Sequence, residues 1–356
     1  MFFLGLKELL VQAVEQQASD IFLVSGLPVA YKIHNRIQTQ GADILMPKQT
    51  QELILQIYSM TAGRTPDRLL QYGDDDFSLT MPGVSRFRVS AYKQRGSLAA
   101  VIRVVRFDLP DPKELGIPDA VLQLADRTKG LILVTGPAGS GKSTTLACLI
   151  DRINNARSEH VITLEDPIEY LHSHKKSIVS QREIATDTES FVTALRASLR
   201  QAPDVILLGE MRDADTIATA MTAAETGHLV FSTLHTMGAA NTIDRVLDAF
   251  PPDQQAQVRI QLSMVLGAVV SQQLIPTLDG GVACAFEIML CNSAIRNMIR
   301  ESKIHQIDSV IFSSASEGMV SMDSSLLALY RAGRIGKQEA VVYSAAPDIM
   351  TRNVDK

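Results

Sequence analysis

The sequence predicts an α/β chain in two parts: an α+β domain, then a larger domain on a mostly parallel sheet covered by helices. Three observations predict this. Up to about residue 108, short apolar segments alternate with polar residues at period two and are punctuated by glycine, as in "ASDIFLVSG", "VAYKIHN", "RFRVSAYKQRG" and "AAVIRVVRF". That pattern reads as antiparallel strands with a helix or two. From residue 118 the apolar runs become continuous and β-branched ("LILVTG", "HVITLE", "DVILLGE", "HLVFSTLH") and alternate with helical stretches. Strands buried on both faces of a parallel sheet look like this. Between the two patterns lies "DLPDPKELGIPDA", whose Pro110, Pro112 and Pro118 resist helix and strand. The expected organisation is therefore residues 1–108, a linker over 109–117, and residues 118–356.

The opening "MFFLGLKELL" is apolar but short and carries Lys7 and Glu8, so it reads as an amphipathic helix rather than a leader. In the second domain, Asp213 or Asp215 can cap the helix "ADTIATAMTAAET", and Gly227 can end it. "IQLSMVLGAVVSQQLI" is the closest approach to a membrane span, but its glutamines and serine make it read as a buried helix. After about residue 282 the strand signal fades. "NSAIRNMIRES" and "MDSSLLALYRAGR" then suggest a helical subdomain over about 282–356, with the tail "PDIMTRNVDK" expected to fray.

The chain has 356 residues, 46% of them apolar and 21% charged, with a formal net charge of -5. A nucleic-acid binder wants a basic face, so nucleic acid is not the expected partner. The three cysteines, Cys148, Cys284 and Cys291, show no CxxC spacing. Neither a zinc knuckle nor a redox pair is supported, and the absence of a disulfide framework fits a reducing cytoplasm.

One stretch carries specific chemistry. "GPAGSGKS" fits G-x-x-x-x-G-K-[ST], with Gly136, Gly141, Lys142 and Ser143 at the fixed positions. Glycines let the backbone of Gly136, Pro137, Ala138, Gly139, Ser140 and Gly141 turn tightly, so that N–H groups point at phosphate oxygens. The helix after it, opening on Lys142, Ser143 and Thr144, adds its positive end. Lys142 can reach the β- and γ-phosphates of ATP, and Ser143 can hold Mg²⁺. An apolar strand precedes the loop, as the motif requires. Carboxylates must complete such a site. "ITLEDPIEY" places Glu165 and Asp166 after one strand, and "DVILLGEMRD" places Glu210 after another. Gly209 stands where many phosphate-loop proteins have aspartate, so Glu165 or Asp166 can share the metal work. "GHLVFSTLHT" carries His228 and His235 at the two ends of a further strand, with Thr233 and Thr236 beside the second. His235, with those threonines, can sense a γ-phosphate or brace the metal.

Taken together, "GPAGSGKST", "ITLEDPIEY", "ILLGEMRD" and "TGHLVFSTLHT" resemble the phosphate loop, Asp box, Walker B and His box of the secretion ATPase superfamily, the hexameric motors of type IV pili and type II secretion. Within it the chain is similar to the twitching-motility retraction ATPases, from about Ala18 to at least Met319. "ASDIFLVSGLPVAYKI" looks like the start of their PAS-like N-terminal domain, and "AIRNMIRES" looks like a C-terminal motif tied to retraction. The implied fold is a PAS-like α+β domain followed by a RecA-like ATPase domain with a helical C-terminal subdomain. The resemblance implies Glu165 as general base, Glu210 as a holder of Mg²⁺, and His235 beside the γ-phosphate, with His228 a weaker candidate. It also implies arginines of the first domain that stabilise phosphate charge at a subunit boundary. Arg88 and Arg103 match best, ahead of Arg86 and Arg106. Departures are Ala138, where threonine is commoner, and Met298 for leucine, close in volume. The implied assembly is a homo-hexamer, cytoplasmic and peripheral to the inner face of the cell membrane, with the proline linker as hinge. The implied partner is an inner-membrane pilus platform protein, with no nucleic acid and no membrane insertion. Extension and type II secretion ATPases usually add an N-terminal domain and a tetracysteine zinc site, for which this chain has neither the length nor the cysteines. Those pushing motors, a small-molecule kinase and a weakly hydrolysing regulatory subunit are the rival readings.

Overall fold

The structure is a computed structural model that describes residues 5–33, 36–61, 63–105 and 109–355. The chain forms two compact units, one of residues 1–108 with 169–171, the other of residues 109–168 with 172–356.

In the first unit, β1 (Asp20–Leu23), β2 (Ala30–Ile33), β3 (Arg36–Thr39), β4 (Asp74–Met81), β5 (Ser85–Gln94) and β6 (Ser97–Val105) form a sheet in the order β3-β2-β1-β6-β5-β4. Each described pairing within it is antiparallel. The period-two pattern explains it: Phe87, Val89 and Ala91 of β5 are buried and alternate with the less buried Arg86, Arg88 and Ser90. The expected first helix forms over Leu6–Glu15 and buries Leu6, Leu9, Leu10 and Ala13, an i, i+3, i+4, i+7 stripe. A second helix, Pro47–Met60, adds Leu53, Ile54 and Ile57 to the same core. Tyr31 closes it by donating its hydroxyl to the Leu9 carbonyl at 2.8 Å.

In the second unit, β7 (Gly130–Thr135), β8 (His160–Glu165), β9 (Ile178–Glu183), β10 (Val205–Leu208), β11 (Leu229–Leu234), β12 (Leu266–Pro276) and β13 (Val282–Leu290) run in the order β13-β12-β7-β11-β10-β8-β9. Among the described pairings, β13 joins β12 antiparallel; the others in this sheet are parallel. Alternation along β7 shows why the apolar run is continuous. Leu131 and Leu133 enter one core, Ile132 and Val134 the core on the other face. Full burial of each such side chain is worth about 1.5–3 kcal/mol, so both faces must be covered. Asp213, not Asp215, caps the helix Ala214–Glu225, accepting the Thr216 N–H at 2.8 Å. The three cysteines are free thiols.

Four expectations change. Residues 260–275 are not one helix: a helix ends at Val265 and β12 begins at Leu266. The β-branched pair Val269–Val270 favours the extended form, and β7 supplies the ladder. The region from 282 is likewise not yet helical. Residues 282–290 form β13, and helices begin at Ser293. Residues 109–117 are not a free linker but belong to the second unit, where Ile117 is buried and Leu115 packs beside it. The tail does not fray, because the helix Pro347–Val354 buries Met350 and Val354. In "AIRNMIRES", Ile295 and Ile299 are buried. Arg296 is not left to solvent: it donates to the Ser263 and Met264 carbonyls at 2.8 and 2.6 Å, capping the end of the preceding helix.

Candidate active site

Parallel strands bring their C-terminal ends to one edge of the sheet, so the segments after β7, β8, β10 and β11 gather there. The phosphate loop comes directly after β7. Gly136, Gly139 and Gly141 adopt φ of 139°, 75° and 88°, a region closed to most side chains. Gly136 has a second reason. A Cβ there would lie 2.2 Å from the Gln272 carbonyl oxygen and 2.7 Å from Ser140 Oγ. Lys142, buried at the start of the helix Lys142–Ala156, donates to the Gly136 and Pro137 carbonyls at 2.9 Å each. Ser140 Oγ and Gln272 Oε1 are buried without a hydrogen-bond partner. Of the two, the Ser140 hydroxyl can donate to a phosphate oxygen, and it stands in a loop on a helix N-terminus, which fits a phosphate chain. Ala138 is exposed at the loop tip, which explains how threonine and alanine can exchange there.

Glu165 ends β8. Its Oε1 accepts from Thr163 Oγ1 at 2.6 Å and from Gln181 Nε2 at 3.2 Å. Gln181 in turn accepts the His172 main-chain N–H at 2.8 Å. Glu210 comes after β10 with its side chain 15% exposed. Arg212 lies 2.6 Å from one of its oxygens, and His235 Nε2 3.5 Å from the other. Glu210 and His235 are therefore brought together, with Arg212 as a third member that local spacing does not single out. Gly209 also has a physical account: a Cβ there would come 3.2 Å from the Leu164 carbonyl and 3.5 Å from Phe191. An aspartate there would need the end of β8 to give by a few tenths of an ångström. Thr233 Oγ1 donates to the Gly209 carbonyl at 2.6 Å and so ties this corner to β11.

His228 is not part of the site. It precedes β11, at the opposite end of the strand from His235, and its Nδ1 lies 2.9 Å from the Ala223 carbonyl at the end of a helix. In the first unit, Arg88 and Arg103 are direct partners across β5 and β6. Arg103 also pairs with Asp20, Nε to Oδ1 at 3.1 Å. Arg106 lies outside the described residues.

A cleft of about 290 Å³ adjoins the loop. Ser140, Gly141, Thr144 and Thr145 line one side, and Leu115, Ile117, Leu274, Phe286 and Arg334 are among its other walls. A slot with apolar walls and two cations, Lys113 and Arg334, next to phosphate-binding groups, suits a nucleoside.

The family described as "Type II/IV secretion system protein" matches residues 4–335. This chain belongs to that family. It is 44% identical over 345 residues to the "Type IV pilus retractation ATPase PilT" of Pseudomonas aeruginosa, covering 97% of this chain and 99% of that protein. It is 50% identical over 266 residues to a "Twitching motility protein" of Neisseria gonorrhoeae, covering 74% of this chain and 71% of that one. Among solved structures it is similar to the pilus retraction motor PilT with bound ADP, with a TM-score of 0.89, 47% identity, and coverage of 98% and 100%. The expected family fold, an N-terminal domain and a P-loop ATPase domain, is borne out.

One histidine on the segment tied to Glu165 through Gln181 titrates in a useful range. Burial lowers the His172 imidazole to about 4, with Asp151 opposing and Lys175 adding to the effect. Its Nδ1 is buried without a partner. Between its ordinary value of 6.5 and about 4, the unfolded chain binds the proton more readily. Stability from this group is therefore full above about 6.5 and is lost as pH falls toward 4, by about 3 kcal/mol in all. Urea unfolding of the second unit at pH 7 and pH 5 is expected to show a loss of about 2 kcal/mol that His172→Gln lacks.

Proposed function

We propose that the chain is an ATP-hydrolysing motor that powers type IV pilus retraction, working as a ring of six chains at the cytoplasmic face of the membrane on a platform protein. The observation that carries this reading is the convergence of the buried Lys142 loop and the Glu210–His235 pair at one sheet edge, in a chain 44% identical to a retraction ATPase over nearly its full length. Among the described residues no helix is long and apolar enough to cross a membrane, and work on a membrane machine then needs a partner within it.

In this reading the loop amides of residues 136–141 hold the β- and γ-phosphates, Lys142 balances their charge, and the nucleoside lies in the adjoining cleft. Ser143 and Glu210 would hold Mg²⁺, which supplies charge neutralisation at the phosphates. No cluster of three carboxylates, imidazoles or thiols suited to a metal occurs among the described residues, so the ion would lean on the nucleotide itself, as Mg²⁺ commonly does. Glu165, oriented by Thr163 and Gln181, takes a proton as water oxygen bonds to the γ-phosphorus and the bond to the bridging oxygen breaks. His235 orients Glu210 and reads whether the γ-phosphate is present. Arg88 and Arg103 supply fixed positive charge, suited to a phosphoryl group by their planar forks. Removal of the γ-phosphate releases the groups that held it, and six such releases around a ring do work on the partner.

The deciding experiment is steady-state ATP hydrolysis against protein concentration, with light scattering for mass. Turnover per chain is expected to rise with assembly to about six chains. Concentration-independent turnover by a monomer would overturn the ring. Bound ATP without turnover would point to a regulatory subunit.

A further inference from the structure

Two consecutive residues of β12 fasten two different loops of the site. Neighbours on a strand face opposite sides of the sheet, so one strand can serve both. Gln272, 1% exposed, donates from Nε2 to the Ser140 carbonyl at 2.7 Å, inside the phosphate loop. Its own carbonyl lies against Gly136, and its side-chain nitrogen would sit 3.2 Å from a Cβ on Gly141. It thus touches the loop at three places. Ser271 faces the other way and accepts the Gly238 N–H on Oγ at 3.0 Å, three residues after His235. Directly across the ladder from Ser271 stands Glu287. Its Oε1 accepts the next amide, that of Ala239, at 2.7 Å. The partner of Gln272 is Phe286, whose N–H donates to Ser325 Oγ at 3.0 Å, in the C-terminal helices.

We infer that Gln272 and Ser271 are positioning residues for ATP hydrolysis: Gln272 sets the phosphate loop, and Ser271 with Glu287 sets the loop carrying His235. The β12–β13 hairpin keeps the two loops in one register and links both to the C-terminal helices. This rests on the reading of the Lys142 loop as the nucleotide site. The two residues have separable duties. Loss of the Gln272 donor leaves a buried carbonyl unpaired and loosens the groups that grip phosphate. Loss of the Ser271 hydroxyl frees a loop that acts only on the γ-phosphate side.

The test uses the full chain with Gln272→Met, which keeps volume but removes the donor, Ser271→Ala, and Lys142→Ala as a check on the site. Binding of a fluorescent ADP analogue is measured beside kcat and KM. Gln272→Met is expected to weaken ADP binding and raise KM about tenfold, as one unpaired buried group would. Ser271→Ala is expected to keep ADP affinity within about twofold and lower kcat about tenfold. A purely structural role would lower thermal stability in both without this split. If Gln272→Met does not accumulate folded, Gln272→Asn, which withdraws the amide by one methylene, carries the same expectation. Wild-type kcat and ADP affinity in both variants, or loss of the same quantity in both, overturns the inference. Retention of ADP binding by Lys142→Ala overturns the reading of the site instead.

Discussion

Glu210→Gln is expected to lower ATP turnover by roughly 10²–10³-fold while ADP still binds, the scale seen when one preorganised charged or polar group is removed from a reacting centre. Glu210 is held on both sides, by Arg212 at 2.6 Å and His235 at 3.5 Å, and only 15% of its side chain meets water. The amide keeps the shape and one oxygen, so Arg212 and His235 stay near their places and the fold is spared. The change removes the negative charge that a divalent cation and the two basic neighbours need. Steady-state turnover and fluorescent ADP binding, measured on the same preparation, check this. Glu165→Gln gives a contrast. It too would stop hydrolysis, but under the proposed roles, in which Glu165 takes the proton and Glu210 holds the ion, it would leave Mg²⁺-dependent ADP binding untouched, and Thr163 and Gln181 would still have an oxygen to donate to. Equal loss of Mg²⁺ dependence in both variants would overturn this division of labour.

Much of this site was legible in the sequence, because its chemistry is written in local spacing. Three glycines with positive φ within six residues leave few alternatives to a phosphate loop. Continuous apolar runs identified the central strands, because burial on both faces permits little else. His228 separates from His235 only once the strand order is known. In a parallel sheet every residue just after a strand reaches one edge and every residue just before it the other, so a histidine before β11 cannot join a loop after β7. β12 was harder. Residues 260–275 are helical up to Val265 and carry β-branched residues beyond it, and the apolar run gives no break between the two. Only the β7 edge, which exists once the chain has folded, decides the switch at Leu266. The same strand hid Ser271 and Gln272. Gln272 meets Ser140 from 132 positions away, and no local pattern marks a polar residue that serves a distant loop. Gln181 escaped notice for a similar reason, since its link to Glu165 runs between neighbouring strands rather than along one. Tertiary hydrogen bonding chose these residues, and periodicity registers them only as interruptions.

Arg88→Ala and Arg103→Ala are each expected to reduce turnover, and the first by more. Arginines that balance charge on a transferring phosphoryl group are worth about 10³–10⁵-fold where they have been removed. Arg103 is partly committed already, its Nε paired with Asp20 at 3.1 Å. Side by side on β6 and β5, the two guanidiniums repel each other, and Asp20 offsets that repulsion on the Arg103 side. Arg103→Ala therefore loses a cation whose charge is partly balanced, and it leaves Asp20 without this partner. That costs the first unit some stability and lowers turnover less than the full arginine effect. Arg88→Ala removes the cation that the strand pair leaves to act outward, and about 10³-fold is expected. Mixing separates action within a chain from action between chains. Arg88→Ala supplies an intact Glu210, and Glu210→Gln an intact Arg88. If arginine and glutamate meet across a boundary between subunits, an equimolar mixture of the two inactive variants recovers part of the wild-type turnover, because some boundaries pair a good arginine with a good glutamate. If both act within one chain, every chain in the mixture lacks one of them and turnover stays at the level of the single variants. Salt gives an independent check. A charge contact made and broken at an exposed boundary weakens as ionic strength rises, so the recovered activity should fall with added salt faster than ADP binding does.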